Sequence, residues 1–188
     1  MTTSINHIDF DPSYGRSINW ILFLYQLDTI GPVIPVPDAH LMRFIQVFNN
    51  IIDCHIHISN NLAKEIVLYI LNENFHIWLT RQMNISNNIK TMKILCPEDG
   101  CVYYDYWVKR YRYRYPNTNY YVITFNQLNH DLLTSSLKCL RVIRREFPAM
   151  TSELNQLERE INDCLNTSVL QRINQEDERI QLGEQPRL

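Results

Sequence analysis

The first half of the chain carries two apolar stripes at helical spacing. One covers residues 41–52, the other covers residues 62–79, and the polar residues 59–61 separate them. Apolar residues at positions i, i+3, i+4 and i+7 are typical of a helix that turns one face to a core. The pattern therefore predicts two helices that pack together, the first of them capped by Asp38.

The period changes in the middle of the chain. In "KTMKILC", residues 90–96, Met92, Ile94 and Cys96 alternate with Thr91, Lys93 and Leu95, which is the two-residue period of a strand. The aromatic segments 101–115 and 120–125 follow, after the turn sequences "PEDG" and "PNTN". Three such segments joined by short turns predict a three-stranded antiparallel meander.

Helical spacing returns near the end of the chain. It covers residues 133–147 and then residues 150–165, and the second segment begins a long amphipathic C-terminal helix. The predicted fold class is α+β, with helices packed on the meander. We expect residues 1–37 to form an extended N-terminal arm, residues 38–173 to form one α+β domain, and the polar residues 174–188 to form a mobile tail.

Composition favours a folded, non-enzymatic protein. Of the 188 residues, 45% are hydrophobic and 20% are charged, which is close to the average of packed globular proteins. The chain has only 4 glycines, so glycine-rich nucleotide loops are excluded, and it lacks the sequence motifs of zinc proteases and serine hydrolases. We predict no cofactor.

The N-terminal sequence and the cysteines bear on location. The first residues lack a basic segment followed by an apolar run, and the apolar stretch 18–27 is shorter than the ~20 residues of a membrane span. The odd number of cysteines, 5, argues against a secreted disulfide framework. These features predict a cytoplasmic or nuclear protein with reduced thiols.

Two short motifs raise the question of a metal site. Cys96 and Cys101 flank a four-residue turn, but a zinc knuckle needs its second cysteine where this chain has Asp99. His55 and His57 would lie about 200° apart on a helix and could not bind one ion together. We predict no metal, and leave open a redox-sensitive pair of Cys96 and Cys101 across a hairpin.

One basic and aromatic segment would have its arginines and tyrosines on opposite faces if it formed a strand. On a strand, the three arginines would share one face and the tyrosines the other. The segment consists of Lys109, Arg110, Tyr111, Arg112, Tyr113, Arg114 and Tyr115. Three interpretations follow: a solvated sheet face, a protein interface, or a single-stranded RNA site with arginines on phosphates and tyrosines under bases. A net charge of −2 and a pI near 6.3 disfavour nucleic acid.

The last helix offers a candidate oligomer seam. Its apolar residues step by 4, 3 and 4 positions, which is the spacing of paired helices. The seam consists of Met150, Leu154, Leu157 and Ile161. Alternatively, the same residues close the core of the chain itself. Together these patterns predict a non-enzymatic structural or interaction protein that self-associates, with RNA binding as the alternative. The abundance of Ile and Asn resembles the AT-rich coding bias of many viruses.

Overall fold

Five strands make up the sheet in the residues that the computed structural model describes, which are 19–25, 34, 36–42, 45–81, 83–146 and 151–181. The strands are β1 (Asn19–Leu24), β2 (Ile45–Phe48), β3 (Glu65–Leu71), β4 (Ile89–Cys96) and β5 (Asn119–Thr124). Their order across the sheet is β2-β1-β3-β4-β5, and every neighbouring pair is parallel. The order reverses between β1 and β3, as in doubly wound α/β proteins.

Helices cover both faces of this sheet. They are α1 (Ile51–Asn60), α2 (Asn72–Thr80), α3 (Cys101–Arg114), α4 (Phe125–Glu146) and α5 (Thr151–Gln181). Buried residues of α1, α2 and α3 pack on one face, and those of α4 and α5 pack on the other. No helix in the described ranges is both long enough and apolar enough to cross a membrane.

Strand β1 explains why both faces must be covered. Ile21 and Phe23 belong to the core under α4 and α5, whereas Leu22 and Leu24 belong to the core under α1, α2 and α3. All four side chains are at most 2% exposed. A strand that is apolar on both faces is typical of the centre of a parallel sheet.

The predicted antiparallel meander is wrong. Residues 90–96 and 120–124 do lie in strands, β4 and β5, but these two strands are parallel neighbours, and residue 125 already begins α4. Residues 101–114, predicted as the middle strand, form helix α3, which is the crossover that a parallel pair requires. The fold class is therefore α/β and not α+β.

The two predicted early helices are each a strand followed by a helix. The stripe over residues 41–52 covers β2 and the beginning of α1, and the stripe over residues 62–79 covers β3 and α2. The helix predicted to begin after Asp38 is a single 3₁₀ turn, Ala39–Leu41, without a side-chain cap from Asp38. Asn50 instead caps α1 by accepting hydrogen bonds from the amides of Ile52 and Asp53.

The predicted segment limits also differ from the observed elements. Strand β1 lies inside the predicted N-terminal arm, yet it pairs with β2 on one side and β3 on the other. Helix α5 continues to Gln181, into the segment predicted as a mobile tail. The predictions for residues 1–18 and 182–188 fall outside the described residues.

Candidate functional site

Helix α3 contains most of the segment that the sequence singled out, residues 109–115. The helix begins immediately after the 3₁₀ turn Glu98–Gly100 and ends at Arg114. Its inward positions are Tyr104, Val108 and Tyr111, spaced by 4 and 3 residues, and Tyr115 follows four residues later. This helical spacing places one face on the sheet, and that packing overrides the strand preference of so many aromatic residues.

The inward face is held by ring contacts. The ring of Tyr111 meets Phe75 of α2 edge-on at 6.0 Å and stacks on Tyr115 at 6.4 Å. The Tyr104 hydroxyl accepts a hydrogen bond from the side-chain amide of Asn72 at 3.3 Å. Among the residues of α3, all of which are described, only Val108 is fully buried.

The outer face of α3 carries large apolar and aromatic side chains among its charged residues. Val102 is 82% exposed, Tyr106 is 64% exposed and Tyr113 is 95% exposed. With the exposed Lys109 these residues step by 4, 3 and 4 positions, so they form one line along the helix. We call these four residues the outer stripe. Tyr103, 51% exposed, lies beside it.

The three arginines do not share one face, so the predicted alignment of all three along a strand is wrong. Arg112 points back to the sheet, where its Nη2 donates to the Tyr120 carbonyl at 3.2 Å. Arg110 lies over the Trp107 ring at 5.7 Å, and Arg114 lies over the Tyr115 ring at 5.5 Å. The helix separates residues two positions apart by about 200°, whereas a strand would have aligned them.

A shallow depression lies along this side of the helix. Its volume is about 430 Å³, and it is lined by Trp107, Arg110, Tyr111, Tyr113 and Arg114. Both arginines that line it already make cation–π contacts with neighbouring rings. The depression therefore offers aromatic edges and guanidinium groups to a partner, with little enclosure.

The predicted oligomer seam lies largely inside the chain. Leu154 and Ile161 are 0% exposed in the core beneath α4 and α5, and Leu157 packs against the same core. An ion pair between Arg144 of α4 and Glu158 of α5 lies beside them. The burial favours the alternative that these residues close the chain's own core. Met150 falls outside the described residues.

A buried polar cluster between the sheet and α4 was not anticipated. Lys93 Nζ donates to Asp131 Oδ2 at 2.6 Å, to Tyr69 Oη at 3.1 Å and to Ser135 Oγ at 3.0 Å. The Tyr69 hydroxyl lies 2.7 Å from both Asp131 Oδ2 and Ser135 Oγ. Burial, followed by the charge of Asp131, raises the pKa of Tyr69 well above its usual value.

This cluster borders a cavity of about 520 Å³, but its own hydrogen bonds are complete. An ammonium group has three donors, and all three of those on Lys93 are used inside the protein. No donor is left over for a ligand. We therefore assign the cluster a structural role. The only signal in the sequence was Lys93, a charge between the apolar residues Met92 and Ile94 of β4.

The two cysteines of the turn lie at the carboxyl end of β4. Cys96 is the last residue of β4 and Cys101 is the first residue of α3, with their sulfur atoms 3.5 Å apart. The predicted arrangement across a hairpin is wrong, because the second cysteine begins a helix. In the described part of the chain, no group of three or more His, Cys, Asp or Glu side chains could hold a metal ion.

The fold and the surface together define a doubly wound α/β domain with an exposed aromatic and cationic helix face. Comparison with known proteins adds no relative: no family model, no curated protein and no solved structure matches the chain.

Proposed function

We propose that this protein is a non-enzymatic interaction module that self-associates through the outer face of α3. The observation that supports the proposal is the exposure of the outer stripe, in which Val102, Tyr106 and Tyr113 are each more than 60% exposed. Burying their side chains would stabilise an assembly, since aromatic rings supply large contact areas with little loss of side-chain freedom.

The composition of the surface fits a protein interface. Tyrosine, tryptophan and arginine are the residues most enriched where binding energy concentrates. Trp107 and Arg110 already stack on each other, so the arginine is held in place before a partner arrives. A face that only meets water has no need of Val102 or of three exposed tyrosines.

A second copy of the chain is the occupant that this surface fits. Two α3 helices packed antiparallel about a two-fold axis would place Val102 opposite Tyr113 of the second copy. The same axis would bring Asp105, which flanks the stripe, near Lys109 of the second copy, and the symmetry repeats both contacts. Asp105 and Lys109 are both exposed in the single chain.

The expected assembly is a weak, reversible dimer. Fourteen residues of helix span about 21 Å, at a rise of ~1.5 Å per residue. One such helix pair buries less than the ~1,200–2,000 Å² of a standard specific interface. We therefore expect dissociation constants in the micromolar range and rapid exchange between monomer and dimer.

A charge exchange tests the pairing. We expect Asp105→Lys to weaken self-association because Lys would face Lys, and Lys109→Asp to weaken it because Asp would face Asp. The double variant Asp105→Lys/Lys109→Asp restores opposite charges and should recover most of the wild-type association. Sedimentation of each protein over a range of concentrations measures the effect. Arg141→Asp, at an exposed position of α4, is the matched control and should associate like the wild type.

The same variants distinguish RNA binding from self-association. If α3 contacted phosphates, Asp105→Lys would strengthen binding to a single-stranded RNA and Lys109→Asp would weaken it, with a steep dependence on salt. A wild type that stays monomeric at high micromolar concentration, or a double variant no better than the single ones, contradicts the dimer. RNA binding that follows the charge of α3 would establish the alternative.

A further inference from the structure

The hexapeptide "CPEDGC" brings two thiols together at the point where β4 meets α3. The sulfur atoms of Cys96 and Cys101 are 3.5 Å apart, and both residues carry reduced thiols. A disulfide bond is ~2.05 Å long. The sulfurs must therefore approach by about 1.5 Å, a distance that small side-chain rotations and the short 3₁₀ turn between the two residues can supply.

The two thiols differ in access to solvent. Cys96 is 0% exposed, because it ends the buried strand β4, whereas Cys101 is partly exposed at the beginning of α3. Cys101 Sγ also lies 3.6 Å from the Pro97 carbonyl, which holds it beside the turn. A reagent from solution can therefore reach Cys101 and cannot reach Cys96 directly.

The surroundings of Cys96 keep it protonated. Burial is the main cause, and the hydrogen bond to Cys101 and the charges of Asp105 and Asp99 act in the same direction, so that the pKa of Cys96 rises to about 12. A protonated thiol is a poor nucleophile and a poor metal ligand, so Cys96 is suited to act second, on the Cys101 sulfur once that sulfur carries a small thiol.

We propose that Cys96 and Cys101 are a thiol modification site that low-molecular-weight disulfides, such as glutathione disulfide, convert to an internal disulfide. In the first step the Cys101 thiolate attacks the small disulfide, its S–S bond breaks, and one small thiolate leaves. In the second step Cys96 loses its proton and attacks the Cys101 sulfur, which expels the second small thiolate. The protein loses two electrons and two protons, and the small disulfide becomes two thiols. The inference does not depend on the proposed function.

Mass spectrometry of the native protein tests the site. After equilibration with mixtures of reduced and oxidised glutathione, acid quenching, alkylation and trypsin cleavage, residues 94–109 form one peptide that contains both cysteines. We expect this peptide to become lighter by two hydrogen atoms and to resist alkylation. Cys164 is the internal control, because it is a partly exposed thiol whose hydrogen-bond partner is the Asp38 carboxylate and not a second cysteine. We expect it to take up glutathione and form no internal bond.

Two variants separate the steps. Cys96→Ser should trap a stable glutathione adduct on Cys101, and Cys101→Ser should leave Cys96 unmodified. If Cys96→Ser does not fold, the wild-type result alone tests the proposal. Two results would overturn the proposal. One is a wild-type peptide that keeps a glutathione adduct at equilibrium. The other is a wild-type peptide that keeps both thiols at a ratio of reduced to oxidised glutathione where Cys164 is fully modified.

The rate of the second step should depend on pH. The thiolate fraction of a group titrating near pH 12 rises about tenfold per pH unit at lower pH. We therefore expect the glutathione adduct on Cys101 to close to the internal disulfide roughly tenfold faster at pH 8 than at pH 7. A closure rate that does not change between these values would contradict the role given to Cys96.

Discussion

Helices α3 and α4 flank β5 in the sequence and cover opposite faces of the sheet, yet they use their residues differently. Helix α4 buries its apolar side chains, among them Leu128, Leu132 and Leu140, and exposes Lys138 and Arg141. This is the distribution that folding alone requires of a surface helix.

Helix α3, unlike α4, exposes several of its large apolar and aromatic side chains. Its buried contribution is Val108 and a few partly covered rings, whereas Val102, Tyr106 and Tyr113 face outward. Packing on the sheet does not explain these outward side chains. The difference separates residues that stabilise the fold from residues that packing leaves exposed, and the outer stripe belongs to the second group.

The largest expected effect is the difference in the free energy of unfolding between two alanine variants, one in each helix. Leu140 is 0% exposed, so Leu140→Ala should lower the free energy of unfolding by about 2–5 kcal/mol. Tyr113 is 95% exposed, so Tyr113→Ala should change it by less than ~0.5 kcal/mol. Urea denaturation at low protein concentration, where dimers are scarce, measures both. Equal losses from the two substitutions would mean that α3 stabilises the fold through a contact of its outer face.

Several elements could be predicted from the sequence because their signals are long or clear. The alternation over residues 90–96 marked β4, and the helical spacing over residues 133–147 and 150–165 marked α4 and α5, although α4 begins earlier, at Phe125. The apolar residues of α4 recur over 22 residues, so no strand pattern competes with the helical one.

The short strand and helix pairs could not be separated by periodicity. Strand β2 has four residues, and over so few positions a buried strand and one turn of a helix have the same apolar pattern. Strand β3 ends at Leu71 and α2 begins at Asn72, so no glycine or proline marks the boundary. The continuous apolar runs in β1 and β3 were the available sign of a parallel sheet.

Composition singled out the segment that lies on α3, but the strand geometry predicted for it was wrong. Tyrosine and arginine drew attention to residues 109–115, but their alternation has the two-residue period of a strand, and most of the segment is helical. The helical arrangement follows from positions 104, 108, 111 and 115, which pack on α2 and the sheet. Local alternation could not reveal this packing, because it depends on tertiary neighbours that are distant in sequence.

A second prediction compares a buried charge with an exposed one. The Lys93 side chain is 12% exposed and that of Asp131 is 28% exposed, so Asp131→Ala leaves a mostly buried ammonium group without its counter-charge. We expect a loss of about 1–3 kcal/mol in the free energy of unfolding. Asp105→Ala, on the exposed part of α3, should cost nearly nothing.

A double-mutant cycle sharpens this comparison. Lys93→Met/Asp131→Leu removes both charges, and its loss should be smaller than the sum of the losses from Lys93→Met and Asp131→Leu. Additive losses, measured by urea denaturation, would show that the ion pair contributes no coupling and that the cluster is not the closed unit we describe.

The smallest expected effect is the difference in stability between variants of two cationic residues of α3 that lie three positions apart. Arg112 donates to the Tyr120 carbonyl, so Arg112→Gln should lower the free energy of unfolding by about 0.5–1 kcal/mol, at the lower end for one hydrogen bond because the side chain is exposed. Lys109 belongs to the outer stripe, so Lys109→Gln should leave stability unchanged and weaken self-association. Thermal unfolding at low concentration and sedimentation at high concentration give the two readouts. We expect opposite outcomes for the two variants, because Arg112 contacts the sheet and Lys109 lies in the proposed interface. If both variants lost stability and neither lost association, the outer stripe would be only a solvated face.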